Sequence, residues 1–205
     1  MRLVYGEHNG FWIKLKKVAS VISIIFHPFA ITPLVFMILC FDEKSLFKHL
    51  NTLAVALTFS TFIPFITFIF LKKVKLISDY NISRKEERIK PLLISSFYFL
   101  LGFLLLSYSN SKEIIQGLMF CYCLNTIFTA IITKFWKISL HAISIAGPLT
   151  ALWINGLHYP ITMLLIIMVV CLSRLILGAH TLSQVIAGAS FAFILTYFEL
   201  QILFI

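Results

Sequence analysis

Seven apolar runs, close to residues 18–40, 52–71, 92–109, 113–133, 139–155, 160–172 and 181–205, leave this chain little choice of fold. A helix needs about 20 mostly apolar residues to cross the hydrocarbon core of a bilayer. Composition agrees: 60% of the residues are hydrophobic, 12% are charged and mean hydropathy is +0.98, whereas soluble domains carry about 25% charged residues. The expectation is an all-α, polytopic membrane bundle of six to seven transmembrane helices, built as a single domain over residues 1–205. The short run from Pro160 should continue helically through Ser173, and Gly147-Pro148 should kink the run from Ser139. The segment before the first run has no small-residue cleavage site, so the first run is expected to remain as a mature helix.

The net charge of +9 does not point to nucleic acid, because the basic residues are scattered through short loops and form no continuous stripe. Anionic lipid headgroups or phosphate are the expected partners, with the bilayer itself. In a seven-span arrangement, 14 of the 17 Lys and Arg residues share one side with the amino terminus, leaving Lys44, Lys48 and Lys112 opposite. The positive-inside rule makes the shared side cytoplasmic. Richness in Ile, Phe, Lys and Asn points to an AT-rich bacterial genome, hence a multi-pass protein of a bacterial cytoplasmic membrane. Cys40, Cys121, Cys123 and Cys171 all lie inside apolar runs and read as buried, inert thiols.

Ionisable groups near membrane depth are costly and are therefore functional candidates. Three such places fall on the shared side. Arg174 and His180 flank the boundary of the last two runs, His141 opens another run, and Arg84, Lys85, Arg88 and Lys90 precede a third. The last group also has the makeup of a solvated loop whose cations only set topology. His8, His49 and His158 lie in loops or at run ends, and His27, next to Pro28, reads as a hydrogen-bonding residue of the bundle.

These places resemble, in order and spacing, the three signatures of the type 2 phosphatidic acid phosphatase (PAP2) superfamily. Ser173-Arg174-x5-His180 is similar to the third, Ser-Arg-x5-His-x3-Asp. Ser139-Leu140-His141 is similar to the end of the second, Pro-Ser-Gly-His. The basic stretch ending in Lys90-Pro91 resembles a degraded first signature, Lys-x6-Arg-Pro, and the likeness covers about residues 79–190. Ile138 and Leu140 stand where the second signature has proline and glycine. Lys90 stands for the arginine of the first, whose lysine falls on Ser83. Gln184 occupies the place of the acid in the third.

The resemblance implies a PAP2-like fold and a metal-independent phosphatase of a lipid phosphate, either a monoester or a diphosphate, with no cofactor. His180 is then the nucleophile that forms a phosphohistidine, and His141 the acid that protonates the leaving alcohol and later the base that activates water. Arg174, Arg84, Lys85, Arg88 and Lys90 would neutralise the phosphoryl oxygens, with Ser139 donating one further hydrogen bond. Gln184, four residues after His180, shares its helix face and can orient the imidazole without lending it charge. Gly188 continues that face and permits close helix approach. The neutral Gln184 leaves an alternative open, a weak or inactive relative that binds or carries lipid phosphate. Reporter fusions test the topology: a seven-span chain reads cytoplasmic at residue 80 and external at the carboxy terminus, and a cytoplasmic reading at both sinks it.

Overall fold

The computed structural model describes residues 4–41, 46–79, 82 and 84–205, with the side chains of residues 4–9 outside that description. Among the described residues every regular element is a helix. Helix α1 (Val4–Ile25) meets α2 (Pro28–Cys40) at a bend of 45°. His27 makes the break: its backbone is extended, its ring Nδ1 accepts from the Phe29 N–H at 3.3 Å, and Pro28 opens α2 at the position where a missing N–H costs nothing.

Helices α3 (Leu46–Leu57) and α4 (Ile63–Lys73) are joined by a π turn over Thr58–Phe62 into one apolar rod, Leu46–Lys73. The wide turn stands just ahead of Pro64, which has no N–H for the Ser60 carbonyl and whose ring would crowd it in regular α geometry. A 3₁₀ turn, Glu86–Arg88, leads into α5 (Ile89–Tyr108), which packs along α6 (Glu113–Phe135). Helix α7 (Leu140–Ile154) starts on a Ser139 cap, α8 is Pro160–Ile176, and α9 is Leu182–Leu203.

Four helical stretches are long and apolar enough to cross a membrane, or five when the bent α1–α2 pair counts as one span; α7 and α8 are shorter apolar helices. All seven apolar runs of the sequence are therefore helical. The run from Pro160 does continue past Ser173, and α7 stays one helix through Pro148. Phe36, Leu39, Ile115, Leu118, Met119 and Leu200 are fully buried at the centre of the bundle. Phe47, Phe70, Ile161 and Phe198 instead point outward, the inside-out distribution of helices whose outer surface meets lipid rather than water.

The closest approach that matters for the site is between α7 and α9. A Cβ placed on Gly188 would lie 2.9 Å from the backbone oxygen of Ser139 and 3.2 Å from the Ala142 side chain. The first turn of α7 thus lies directly on α9, as the small-residue reading expects. Backbone cannot swing aside as a flexible side chain can. Gly188→Ala should therefore destabilise the protein by about 1–3 kcal/mol, seen as a lower midpoint in detergent melts. An unchanged midpoint would refute this packing.

Candidate functional site

Two loops and four helix ends converge at one end of the bundle. Helix α8 closes with Gly178 at φ 64°, a left-handed position that glycine takes without strain, and the Ala179 N–H returns to the Arg174 carbonyl at 3.1 Å. This turn sends the chain straight into α9. Thr181 and Gln184 form a reciprocal capping box there, with the Thr181 N–H donating to Gln184 Oε1 at 3.1 Å. The same Oε1 lies 3.0 Å from His180 Nδ1.

That shared oxygen determines the tautomer. A backbone N–H can only donate, so the amide atom facing Thr181 is the acceptor, and the ring nitrogen beside it must carry a proton. His180 is then protonated at Nδ1, leaving the lone pair on Nε2. Gln184 also acts through its backbone, whose oxygen accepts from the Ser139 N–H at 3.3 Å and so ties the start of α7 to the first turn of α9. One residue orients His180, caps α9 and brings the two motif-bearing segments together.

His141, 7% exposed, lies on α7 with its Nε2 3.3 Å from Ser23 Oγ. Ser23, on α1, also receives a hydrogen bond from Arg174 Nη1. Arg174 is 4% exposed, and its Nε has no hydrogen-bond partner. Arg88 is as deeply buried, donating from Nε to the Ile82 carbonyl at 2.7 Å and from Nη1 to the Ile138 carbonyl at 3.1 Å. Among the described residues no carboxylate forms a salt bridge with either guanidinium; Glu87 accepts from the Ser78 N–H and faces Arg84. Glu87, engaged with Ser78 and Arg84, does not take the acid's place beside His180.

Arg88, Arg174, His141 and His180 line one cavity of about 200 Å³, together with His27. A second, more polar hollow shares Arg88, Arg174 and His27 with it and adds Ser20, Ser23 and Lys137. Lys137 Nζ donates to the Ala179 carbonyl at 3.1 Å, beside His180. Burial lowers the lysine's affinity for its proton, Arg88 and Arg174 lower it further, and the Asp79 charge opposes them. Burial likewise pushes His180 down to about 4, with the positive fields of Arg88, Lys137 and Arg174 adding to it and the Gln184 hydrogen bond opposing. At neutral pH His180 is a neutral imidazole in a positive well.

The remaining residues proposed from sequence take other places. Arg84 is exposed and pairs with Glu87 at 3.8 Å. Lys85 Nζ reaches the carbonyls of Lys134 and Phe135, each at 3.2 Å, and satisfies the last turn of α6. Lys90 is exposed on the first turn of α5. The 3₁₀ turn rotates Arg88, not Lys90, inward. Ser139 is fully buried, but its hydroxyl accepts from the Ala142 N–H at 3.4 Å as the α7 cap and lies outside the lining of the cavity. Ser83, the place of the first signature's lysine, lies outside the described residues.

Three residues of the site escaped the sequence reading. Lys137 stood two residues before Ser139 in a motif-bearing loop, which was the available signal. His27 was passed over as a bundle residue; it does cap α2, yet its ring also meets His141 edge-on at 5.2 Å between centroids. Ser23 carried no signal, because only tertiary packing brings α1 to α8. No family model, curated protein or solved structure matches the chain.

The sign of the His180 shift yields a test. Neutral imidazole persists until the pH falls to about 4, so an NMR titration of His180 should stay flat through pH 6. Gln184→Glu keeps the side-chain length but places a negative charge against Nδ1, which favours imidazolium and moves the titration upward by about a unit or more. A wild-type midpoint at the ordinary histidine value would refute the described environment.

Proposed function

We propose that the protein is an integral membrane phosphatase that removes phosphate from a lipid phosphate through a phosphohistidine on His180. One observation carries this reading: a neutral histidine with its lone pair on Nε2 shares a cavity with two buried arginines that form no salt bridge among the described residues, Asp79 acting on Arg88 only through its field. Buried cations need compensation, and a phosphate dianion in contact with Arg88, Arg174 and Lys137 supplies it. The agreement in order and spacing with the PAP2 signatures supports the same reading. In it, α7 and α8 also cross the membrane, giving a seven-span PAP2-like bundle in a bacterial cytoplasmic membrane.

Phosphoryl transfer asks the protein mainly for alignment and for charge placed on the equatorial oxygens. His180 Nε2 attacks phosphorus; the N–P bond forms as the ester P–O bond breaks. His141, which takes up a proton once the phosphate dianion is bound beside it, gives that imidazolium proton to the departing alkoxide. It then takes one from a water that attacks the phosphohistidine, which frees inorganic phosphate and restores both rings. Ser23 positions His141 against Arg174, and Gln184 keeps Nδ1 protonated so that Nε2 stays nucleophilic. Lateral access from the interface suits a substrate whose headgroup sits at the ends of the helices.

The neutral Gln184 favours a second reading, a site that holds lipid phosphate without turning it over. Phosphate release from short-chain lipid phosphates by purified protein separates the two. His180→Ala should abolish release, and His141→Ala should lower it by about 10²–10⁴-fold. Saturable binding of the same lipids with no release establishes the second reading. A rate that neither substitution changes refutes the assigned roles. Gln184→Asp adds the charge on a shorter arm and Gln184→Glu adds it at the same reach, so Glu should raise the rate more if missing charge limits turnover.

A further inference from the structure

Two hollows meet at the site, and one hydrogen bond joins them. His141 lines the inner cavity but not the outer hollow; Ser23 lines the outer hollow but not the inner cavity. The contact between His141 Nε2 and Ser23 Oγ, 3.3 Å long, therefore links one space to the other. The two differ in chemistry. The inner cavity is walled mainly by apolar side chains such as Pro64, Phe68, Leu92 and Phe99, whereas the outer hollow, of about 500 Å³, adds Ser20 and Lys137 to the two arginines. A space that roomy and polar admits water.

The direction of that bond follows from the other partner of Ser23. A guanidinium only donates, so Ser23 Oγ accepts from Arg174 Nη1. Ser96, Ser109, Ser144 and Ser173 each turn their O–H back to the carbonyl three residues earlier. The Ser23 hydroxyl does not, and among the described residues the acceptor it meets is Nε2 of His141. Ser23 therefore donates to Nε2, and neutral His141 carries its own proton on Nδ1. The Ser23 carbonyl also faces the ring, as an acceptor for its protonated form. His27 lines both spaces as well, yet its ring meets His141 only edge-on, 5.2 Å between centroids, and its Nδ1 is taken by the Phe29 N–H.

In the phosphatase reading, His141 gains a proton each time a phosphate dianion binds and loses it when inorganic phosphate leaves. With a lipid phosphate seated on Arg88 and Arg174 the inner cavity is filled beside the buried ring, and the Ser23 bond is the route left to water. Resting on that reading, we propose that Ser23 is the proton relay of the site, its hydroxyl passing protons between the outer hollow and His141. The Ser23 O–H proton moves to Nε2 as Oγ takes another from hydronium in the hollow. Nδ1 then gives its proton to the departing alkoxide, and takes one from the water that attacks the phosphohistidine. When phosphate leaves, Nε2 returns its proton to Oγ and the hydroxyl releases one to water, so the cycle consumes no proton. Ser23 touches no reacting atom and acts through His141 alone.

The test uses the purified full-length protein in detergent with two phosphate esters, octyl phosphate and para-nitrophenyl phosphate. An alkoxide needs a proton in order to leave, whereas nitrophenolate departs without one. Ser23→Ala should therefore lower the ratio of the octyl to the nitrophenyl kcat by about tenfold or more, the scale of a lost proton transfer. The change falls in kcat and not in KM, because the proton arrives after binding. His141→Ala should lower the same ratio, and Ser23→Thr, which keeps the O–H, should hold it near the wild-type value. Because the ratio compares two substrates on one preparation, a misfolded fraction cancels. A loss that falls alike on both esters makes Ser23 an anchor for Arg174 and His141 and overturns the relay, as does a Ser23→Thr ratio as low as that of Ser23→Ala; the phosphatase reading then still stands. Release from neither ester by the wild type, or release that His180→Ala does not change, removes the phosphatase reading and the relay with it.

Discussion

The amide of Gln184 is the joint on which the site depends. Its oxygen accepts from the Thr181 N–H and from His180 Nδ1, and its backbone oxygen accepts from the Ser139 N–H. Helix capping, imidazole orientation and the contact between α7 and α9 are therefore one local geometry. Gly188 completes it, since the Ser139 carbonyl occupies the space a side chain would need. A capping interaction is worth about 1 kcal/mol for stability. Its larger consequence here is placement, because the rings of His141 and His180 ride on the two segments it joins.

Around that joint the site is positive: three cations meet there, offset in part by the field of Asp79, and among the described residues no carboxylate forms a salt bridge with Arg88 or Arg174. Arg88 and Arg174 are held by backbone carbonyls and by Ser23, so their positions are set while no described carboxylate pairs with either in a salt bridge. Carbonyl oxygens orient a guanidinium and satisfy individual N–H groups, but carry no net charge to offset it. Such an arrangement costs stability in the empty state and returns it when an anion binds, as expected of a preorganised anion site. Lys137 extends the field to the side of His180, where an incoming phosphate would approach.

The coarse fold was legible because it follows from hydrophobic run length alone, and all seven runs are helical. Arg174, His180, His141 and Arg88 were legible because ionisable groups beside apolar runs stand out at those positions. The remaining cations were not separable by sequence. Whether Arg88 or Lys90 faces inward depends on the 3₁₀ turn before α5, and Lys85 is taken up by the carbonyls that end α6, a partner about 50 residues away. Ser23 and His27 were illegible for a different reason: they come from α1 and the α1–α2 break, remote in sequence from every motif and brought in only by packing against α8 and α7. Asn125, Thr126 and Thr129 were passed over as well, being uncharged polar residues within an otherwise apolar helix.

The glutamine in place of an acid takes on a different meaning within this field. A carboxylate at 184 would strengthen the pull on Nδ1 but would also lie among Arg88, Arg174 and Lys137, whose charges all act on His180. It would cancel part of the attraction that the three cations exert on a phosphate dianion. The neutral amide keeps the tautomer and the cap while leaving the positive field whole. The trade is a less polarised nucleophile for a stronger hold on the anion, and it falls on the side of binding. On the phosphatase reading, that balance favours capture of the anion over the attack on phosphorus.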